Sequence, residues 1–452
     1  MRQHPSTLDA GAPAGSVFGV GLGAAFSAKE RITISAANRP SDRDAAALAD
    51  APASVVDPGA GRGPVWLDGV LDQRLPEIVA LRRRIHSHPE LSRHEVATTA
   101  LIHDVLTAAG VASQVLPGGT GVVADIVGDS AGPTIGLRAD IDALPVTEAS
   151  GLPFASTVEA VAHACGHDVH TAVLLGAALA LRAAPHLAGT VRLLFQPAEE
   201  VMPGGAHDLV ASGAMRGVDR VFALHCDPRV PVGEVGLRAG PITSACDMIE
   251  LEVQGPGGHT SRPHLTVDVV GALSSVAARL PMLVARRLDP RSGTLLVWGA
   301  VQAGEAANVI PQRGVLRGTL RVMERAAWDL AEPIVTELVG QLLAPSGAQY
   351  RLTYVRGVPP VVNDAAAVEL LRRGIDAAIG ADAAVGTEQS TGGEDFAVLL
   401  DLAPGALARL GVWDGLEPRV DLHSAQFRAD ERAIPVGVRT FVHTALAALA
   451  AV

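Results

Sequence analysis

The run His163-Ala164-Cys165-Gly166-His167, followed by Asp168 and His170, concentrates metal-ligand chemistry in eight positions. Cys and neutral His are the softer ligands that borderline first-row metals such as zinc accept. Cys165 and His167 can both face one metal centre from a loop or helix start, although the spacing alone also fits a polar helix entry with a buried thiol. A second signal, Gln196-Pro197-Ala198-Glu199-Glu200, sets adjacent carboxylates just after the apolar run Val191 to Phe195. One Glu can bind metal while the other stays free as a base, which distinguishes a hydrolytic centre from a structural one. The usual fate of neighbouring glutamates is a solvated pair, and the preceding strand weighs against it here.

The other polar signals also fall at the ends of apolar runs. Thr134 to Leu137 leads into Asp140 and Asp142, Val218 to Leu224 into His225, and Leu407 to Val412 precedes His423 by a loop. Asp140 and Asp142 alternate along extended chain, so both can face one crevice, and one can orient a ligand. Cys226 points away from His225 and reads as a small core residue. His259 on a glycine-rich turn, Asn308 and Arg321 are weaker signals; the Arg321 fork suits a carboxylate.

Elements able to position these residues follow from the spacing of apolar side chains. Pro76 opens a helix ending before Pro89, and Ser92 to Glu95 forms a capping box for a second that stops at Gly110. Strands at Val122 to Val127, Thr134 to Leu137, Val191 to Phe195 and Val218 to Leu224 alternate with helices such as Val169 to Ala184, giving an α/β domain. In such sheets sites form outside the carboxyl ends of strands. From Thr243 to Arg356 the order becomes β-α-β-β-α-β, that of a ferredoxin-like unit. Helices at Ala365 to Ile379 and Pro435 to Ala450 return to the first domain. The expected division is an N-terminal extension over 1–64, a catalytic domain in two parts over 65–242 and 357–452, and an inserted domain over 243–356.

Composition narrows the classes. At 452 residues the chain exceeds one ordinary core, which favours two domains. A net charge of -12 argues against nucleic acid or an anionic membrane as partner. Three irregularly spaced cysteines do not make a disulfide framework and point to a reducing cytoplasm. The uncharged stretch Gly15 to Ala28 weakly resembles a signal-peptide core, but the Ala, Gly, Ser, Asp and Pro content through Gly63 favours a flexible extension.

Taken together, Arg83 to His86 with Pro89-Glu90, Gly136 to Pro145, His163 to His170, Gln196 to Glu200, Ala223 to His225, Gly257 to His259, Asn308 to Pro311, Gly393 to Phe396 and Leu422 to Ser424 resemble the aminoacylase/carboxypeptidase-type metallohydrolases. The resemblance is to their amidohydrolase branch, which includes hippurate and indole-acetyl-amino-acid hydrolases. It implies a catalytic α/β domain with an inserted ferredoxin-like lid and dimerisation domain. Two divalent ions, zinc or manganese, would be held by Cys165, His167, Glu200, His225 and His423. Glu199 would serve as general base and acid, with His259 reaching a partner subunit's site in a homodimer; Asp142 joins the catalytic set from its own position, as the carboxylate able to orient a ligand. Asn308 and Arg321 would hold the carboxylate of an N-acyl amino acid, cleaved to a carboxylic acid and an amino acid. A dipeptidase or carboxypeptidase, or a non-catalytic metal-binding dimer, are the alternatives; the spare Glu199 argues against the last. Two departures are Ala397 to Leu400 after Phe396, where relatives often carry aromatics, and Ser424-Ala425 in place of Ser-Pro.

Overall fold

Two sheets organise the chain in the computed structural model, which describes residues 55–451. Six strands come first: β1 (Ser113–Val115), β2 (Val122–Val127), β3 (Ser130–Asp140), β4 (Ala188–Gln196), β5 (Arg220–Pro231) and β6 (Val235–Leu237). Four more, β7 (Ala245–Gln254), β8 (Leu295–Ala303), β9 (Arg313–Val322) and β10 (Gln349–Val358), make a separate sheet. Strands β11 (Ala384–Gly386) and β12 (Gly405–Trp413) return to the first, whose order is β1-β2-β4-β3-β5-β12-β6-β11. Its centre, β4-β3-β5-β12, is parallel.

Parallel strands buried on both sides must be apolar on both. Phe222, Leu224 and Cys226 of β5 enter one core with Ile135 and Leu137 of β3, while Val221 and Ala223 enter another. Helices α1 (Val65–Ser87), α2 (Val96–Ala108), α3 (His167–Arg182), α7 (Ala365–Ile379) and α9 (Ala433–Leu449) contribute to the first core. Two short helices, α4 (Ala206–Ser212) and α8 (Phe396–Leu400), contribute to the second. Cys226 is thus a core residue, as its alternation with His225 predicts. Asp140 and Gln196 end neighbouring parallel strands and are register partners, so their following loops start side by side.

The inserted unit has the expected order, with α5 (Val269–Arg287) between β7 and β8 and α6 (Arg325–Leu343) between β9 and β10. Its antiparallel sheet runs β8-β9-β7-β10 over a core of its own. Helix α5 has the length and apolarity to cross a membrane, but Val269, Ala272, Leu273, Val276, Leu280 and Val284 form a helical stripe buried in that core. Two chain segments join the unit to the larger sheet and are stitched together: Ile242 N donates to Val361 O at 2.9 Å, and Val361 N to Thr243 Oγ1 at 2.9 Å.

Three local expectations need correction. Pro76 lies inside α1 rather than opening it; Pro76 and Asp72, whose carbonyl loses its donor, are both exposed, so water can satisfy that group. The capping box does not form. Glu90 instead accepts from Ala97 N at 2.9 Å and Thr98 N at 2.8 Å, freeing Ser92 to donate to Asp142 and Glu95 to accept from Ala198 N. The flexible extension expected over 1–64 falls largely on residues 1–54, outside the described residues. Residues just before Val65 are held: Asp57 pairs with the buried Arg439 of α9, which also donates to Arg62 O at 2.9 Å.

Candidate metal centre

Gly166 makes the turn that lets Cys165 and His167 converge. Its φ is +85°, and a Cβ there would lie 2.8 Å from Cys226 Sγ, so both backbone and space require glycine. His167 begins α3 and directs Nδ1 to Asp142, 3.0 Å from its carbonyl and 3.2 Å from Oδ1. His225 on β5 donates Nδ1–H to Cys226 O at 2.8 Å, which leaves Nε2 as a lone pair. That atom lies 3.6 Å from Cys165 Sγ. Glu200 Oε1 stands 3.8 Å from His167 Nε2 and 3.4 Å from His423 Nε2.

Donor atoms of Cys165, His167 and His225 lie within 4.8 Å of one another, as do those of Cys165, Glu200 and His423. Cys165 therefore belongs to two donor groups. His167 Nε2 and Glu200 Oε1 are buried without a hydrogen-bond partner, an arrangement that suits a bound cation. Ala198 and His423 take left-handed φ values of +54° and +62°, backbone conformations that L residues adopt at a cost. Ala198 is held there by Glu95, which accepts its N–H at 2.7 Å, and His423 N donates to Ala164 O at 2.8 Å.

The electrostatics also call for positive charge. Burial disfavours the His167 imidazolium, but Asp140, Asp142 and Glu200 outweigh it and push its pKa up to about 10. Burial, reinforced by Glu200 and Glu199, holds the Cys165 thiol well above its ordinary range. Divalent cations would answer both demands, because a coordinating metal displaces the imidazole proton and favours thiolate. Burial, with His170 and Arg409 beside it, keeps His225 neutral as a ligand must be. The residues present therefore fit divalent ions.

Behind the donors lies a buried cation. Arg138 on β3 donates to Gln196 at 3.0 Å, Asp140 at 2.7 Å, Glu394 at 3.0 Å and Asp395 at 3.1 Å. Asp140 Oδ1 in turn takes Nδ1–H of His170 at 2.5 Å, whose Nε2 accepts from Cys226 N at 2.7 Å. His170 is thereby committed to the scaffold, with both ring nitrogens used. Burial and then the neighbouring Glu394 and Glu200 carboxylates hold Glu199 well above the usual carboxylate range.

A cavity of about 300 Å³ opens over this group, lined by Cys165, Glu199, Glu200, His225 and His423 on one side and Arg321 on β9. Of the residues expected to bind metal or substrate or to act in catalysis, these six line it. His167 lies deeper, and Asp142 holds His167 and Glu200 N rather than facing the cavity. His259 and Asn308 do not line it in their own chain; they neighbour each other on the inserted unit, where Val309 pairs with His259, and both are exposed. Sequence reading missed Arg409, which also lines the cavity. The signal was a charge inside the apolar run Leu407 to Val412.

Comparison with known proteins accords with this geometry. The model of peptidase family M20/M25/M40 matches residues 136–447. The chain is 40% identical over 360 residues to the N-acetyl-L-cysteine deacetylase of Bacillus subtilis, covering 79% of this chain and 85% of the relative. It is 49% identical over 378 residues to a Rhodococcus jostii protein provisionally named glutamate--cysteine ligase 2-3, covering 83% of this chain and 47% of the relative, so it spans about half of that protein's length. The solved structure of the Bacillus subtilis YXEP protein, described as a dinuclear metal binding peptidase from the M20 family, superposes with a TM-score of 0.73 at 33% identity, covering 84% of this chain and 99% of that one. With the match extending from β3 into α9 and so across the candidate centre, the chain belongs to peptidase family M20/M25/M40.

Proposed function

We propose that the protein is a metal-dependent amidohydrolase that cleaves N-acyl amino acids to a carboxylic acid and a free amino acid. The observation that carries this reading is the Glu199–Glu200 pair: both have donor atoms within 4.8 Å of one another and of His167, only Glu200 also groups with Cys165 and His423, and Glu199 faces a cavity that Arg321 also lines. Two divalent ions, zinc or manganese, held by Cys165, His167, Glu200, His225 and His423 would supply Lewis acidity for the amide carbonyl and the attacking water. Glu199 takes the proton from water as it attacks and delivers it to the leaving nitrogen. Asp142 keeps His167 oriented, and the Arg138 hub fixes the carboxylates around Glu199. Arg321 receives the substrate's α-carboxylate; its Nη1 now donates to Thr391 O at 2.7 Å, which places the guanidinium at the junction of the two sheets.

A panel of N-acetyl and N-benzoyl amino acids beside their carboxamides tests the reading. The acids should be cleaved with kcat/KM about 10–100-fold above the carboxamides, as expected for loss of a charged hydrogen-bonding partner, and Arg321→Ala should shrink that preference. Equal efficiency on both in the wild-type protein would reject the substrate class; no cleavage by metal-replete protein would reject the activity.

The same reading divides the chain into a catalytic domain over 65–242 and 357–452 and a lid and dimerisation domain over 243–356. His259 and Asn308, exposed and outside their own cavity, would then serve the partner's site. Mixing inactive Glu199→Gln and His259→Ala protomers should restore activity in composite dimers; none returning from demonstrably exchanged subunits would remove His259 from that role. Three free, buried thiols support a cytoplasmic setting.

A further inference from the structure

The wall that β12 contributes to the cavity carries a cation without a task in the mechanism above. Arg409 sits opposite His225 in the β12–β5 register, is 5% exposed and lines the cavity. Its Nε is buried with no hydrogen-bond partner. The carboxylates nearby are already engaged. Asp227 receives two bonds from Arg229, at 3.0 and 2.7 Å, and Glu394 and Asp395 are held by Arg138. Burial disfavours the Arg409 charge, and the fields of Asp227 and Glu394 offset this only in part.

A buried donor left unpaired is costly, and among the described residues Arg409 Nε has no acceptor. An anion entering the cavity would supply one. We propose that Arg409 binds a second carboxylate of the substrate, so that the preferred N-acyl amino acid is a dianion; this rests on the hydrolase reading above. Arg321 comes from β9 of the inserted unit and Arg409 from β12 of the larger sheet, so the two forks belong to different walls of one cavity. A substrate with one carboxylate satisfies one of them. The second carboxylate belongs either to a diacid acyl group or to an acidic amino-acid side chain, and both present the same planar acceptor to a guanidinium fork.

The test compares N-acetyl-alanine, N-acetyl-glutamate and N-succinyl-alanine on the full chain, in wild type, Arg409→Met and Arg409→Lys. At least one dianion should exceed the monoanion in kcat/KM by about tenfold or more in wild type, the scale of one charge-assisted hydrogen bond. Arg409→Met should erase that advantage, and Arg409→Lys should keep part of it. The dianion that responds identifies the end of the substrate facing Arg409. A parallel measurement needs no turnover: glutarate should raise Tm more than butyrate does, and this difference should vanish in Arg409→Met. A glutarate shift that depends on Arg409 in a protein cleaving no amide would overturn the hydrolase reading and leave the anion site standing. Amide cleavage without dianion preference, or equal losses on all three substrates in Arg409→Met, overturns the anion site alone. Should Arg409→Met fail to fold, the wild-type preference and Arg409→Lys decide.

Discussion

Glu199→Gln will retain the metal complement of the wild-type protein and lose amide hydrolysis by about 10²–10⁴-fold, the range associated with removing a positioned general base. The amide keeps the volume of the carboxylate and abolishes its capacity to take a proton. Retention of metal is expected because Cys165, His167, Glu200, His225 and His423 supply both donor groups without it. Metal content by elemental analysis and turnover of N-acyl amino acids, measured on the same preparation, check both halves. Near wild-type turnover at full occupancy would show that Glu199 is not the base. Loss of metal would show that its charge belongs to the ligand set.

Arg138→Met should be the most destabilising single change in the larger domain, by about 3–5 kcal/mol, the cost associated with removing one partner from a buried ion-pair network. Methionine fills part of the volume but removes the guanidinium that Asp140, Glu394 and Asp395 share, leaving Glu394 and Asp395 facing each other. Even with arginine present, burial and Glu394 push the Asp395 pKa up to about 7, so the network already carries more negative charge than one guanidinium settles. A urea midpoint read by circular dichroism measures the effect. A variant within about 0.5 kcal/mol of wild type, the usual range for changes away from such networks, would show that the carboxylates find protons or other partners at little cost.

Periodicity carried the elements well where burial is one-sided or complete. Helix α7 occupies Ala365–Ile379 as its apolar spacing predicts, and the β-α-β-β-α-β grammar of the inserted unit survives in its strand order. Local chemistry was less reliable where a polar side chain had a distant alternative. Ser92 and Glu95 have the types and spacing of a capping box, yet each is drawn to the site, Ser92 by Asp142 and Glu95 by Ala198 N. No local pattern encodes those partners. The candidate donors stood out because Cys, His and paired Glu are uncommon together, whereas Arg409 was hidden by the apolar strand around it. His170, placed in the same motif as Cys165, was indistinguishable by type from a ligand until Asp140 and Cys226 N claimed its two nitrogens.

The placement of β12 sets an order in time. It lies between β5 and β6, which precede it in the chain, so the sheet holds an open slot until Gly405–Trp413 has been made. About 170 residues separate Pro231 from Gly405, which at translation rates of about 5–20 residues per second is roughly 10–30 s. The inserted unit can pair all four of its strands within that interval, because Ala245 to Val358 are contiguous. Strands β5 and β6, meanwhile, present unpaired backbone edges, the surfaces most prone to capture by another chain. The nascent protein is therefore most exposed to misassembly late in synthesis, when most of its length already exists, and closing that slot also brings Arg409 beside His225.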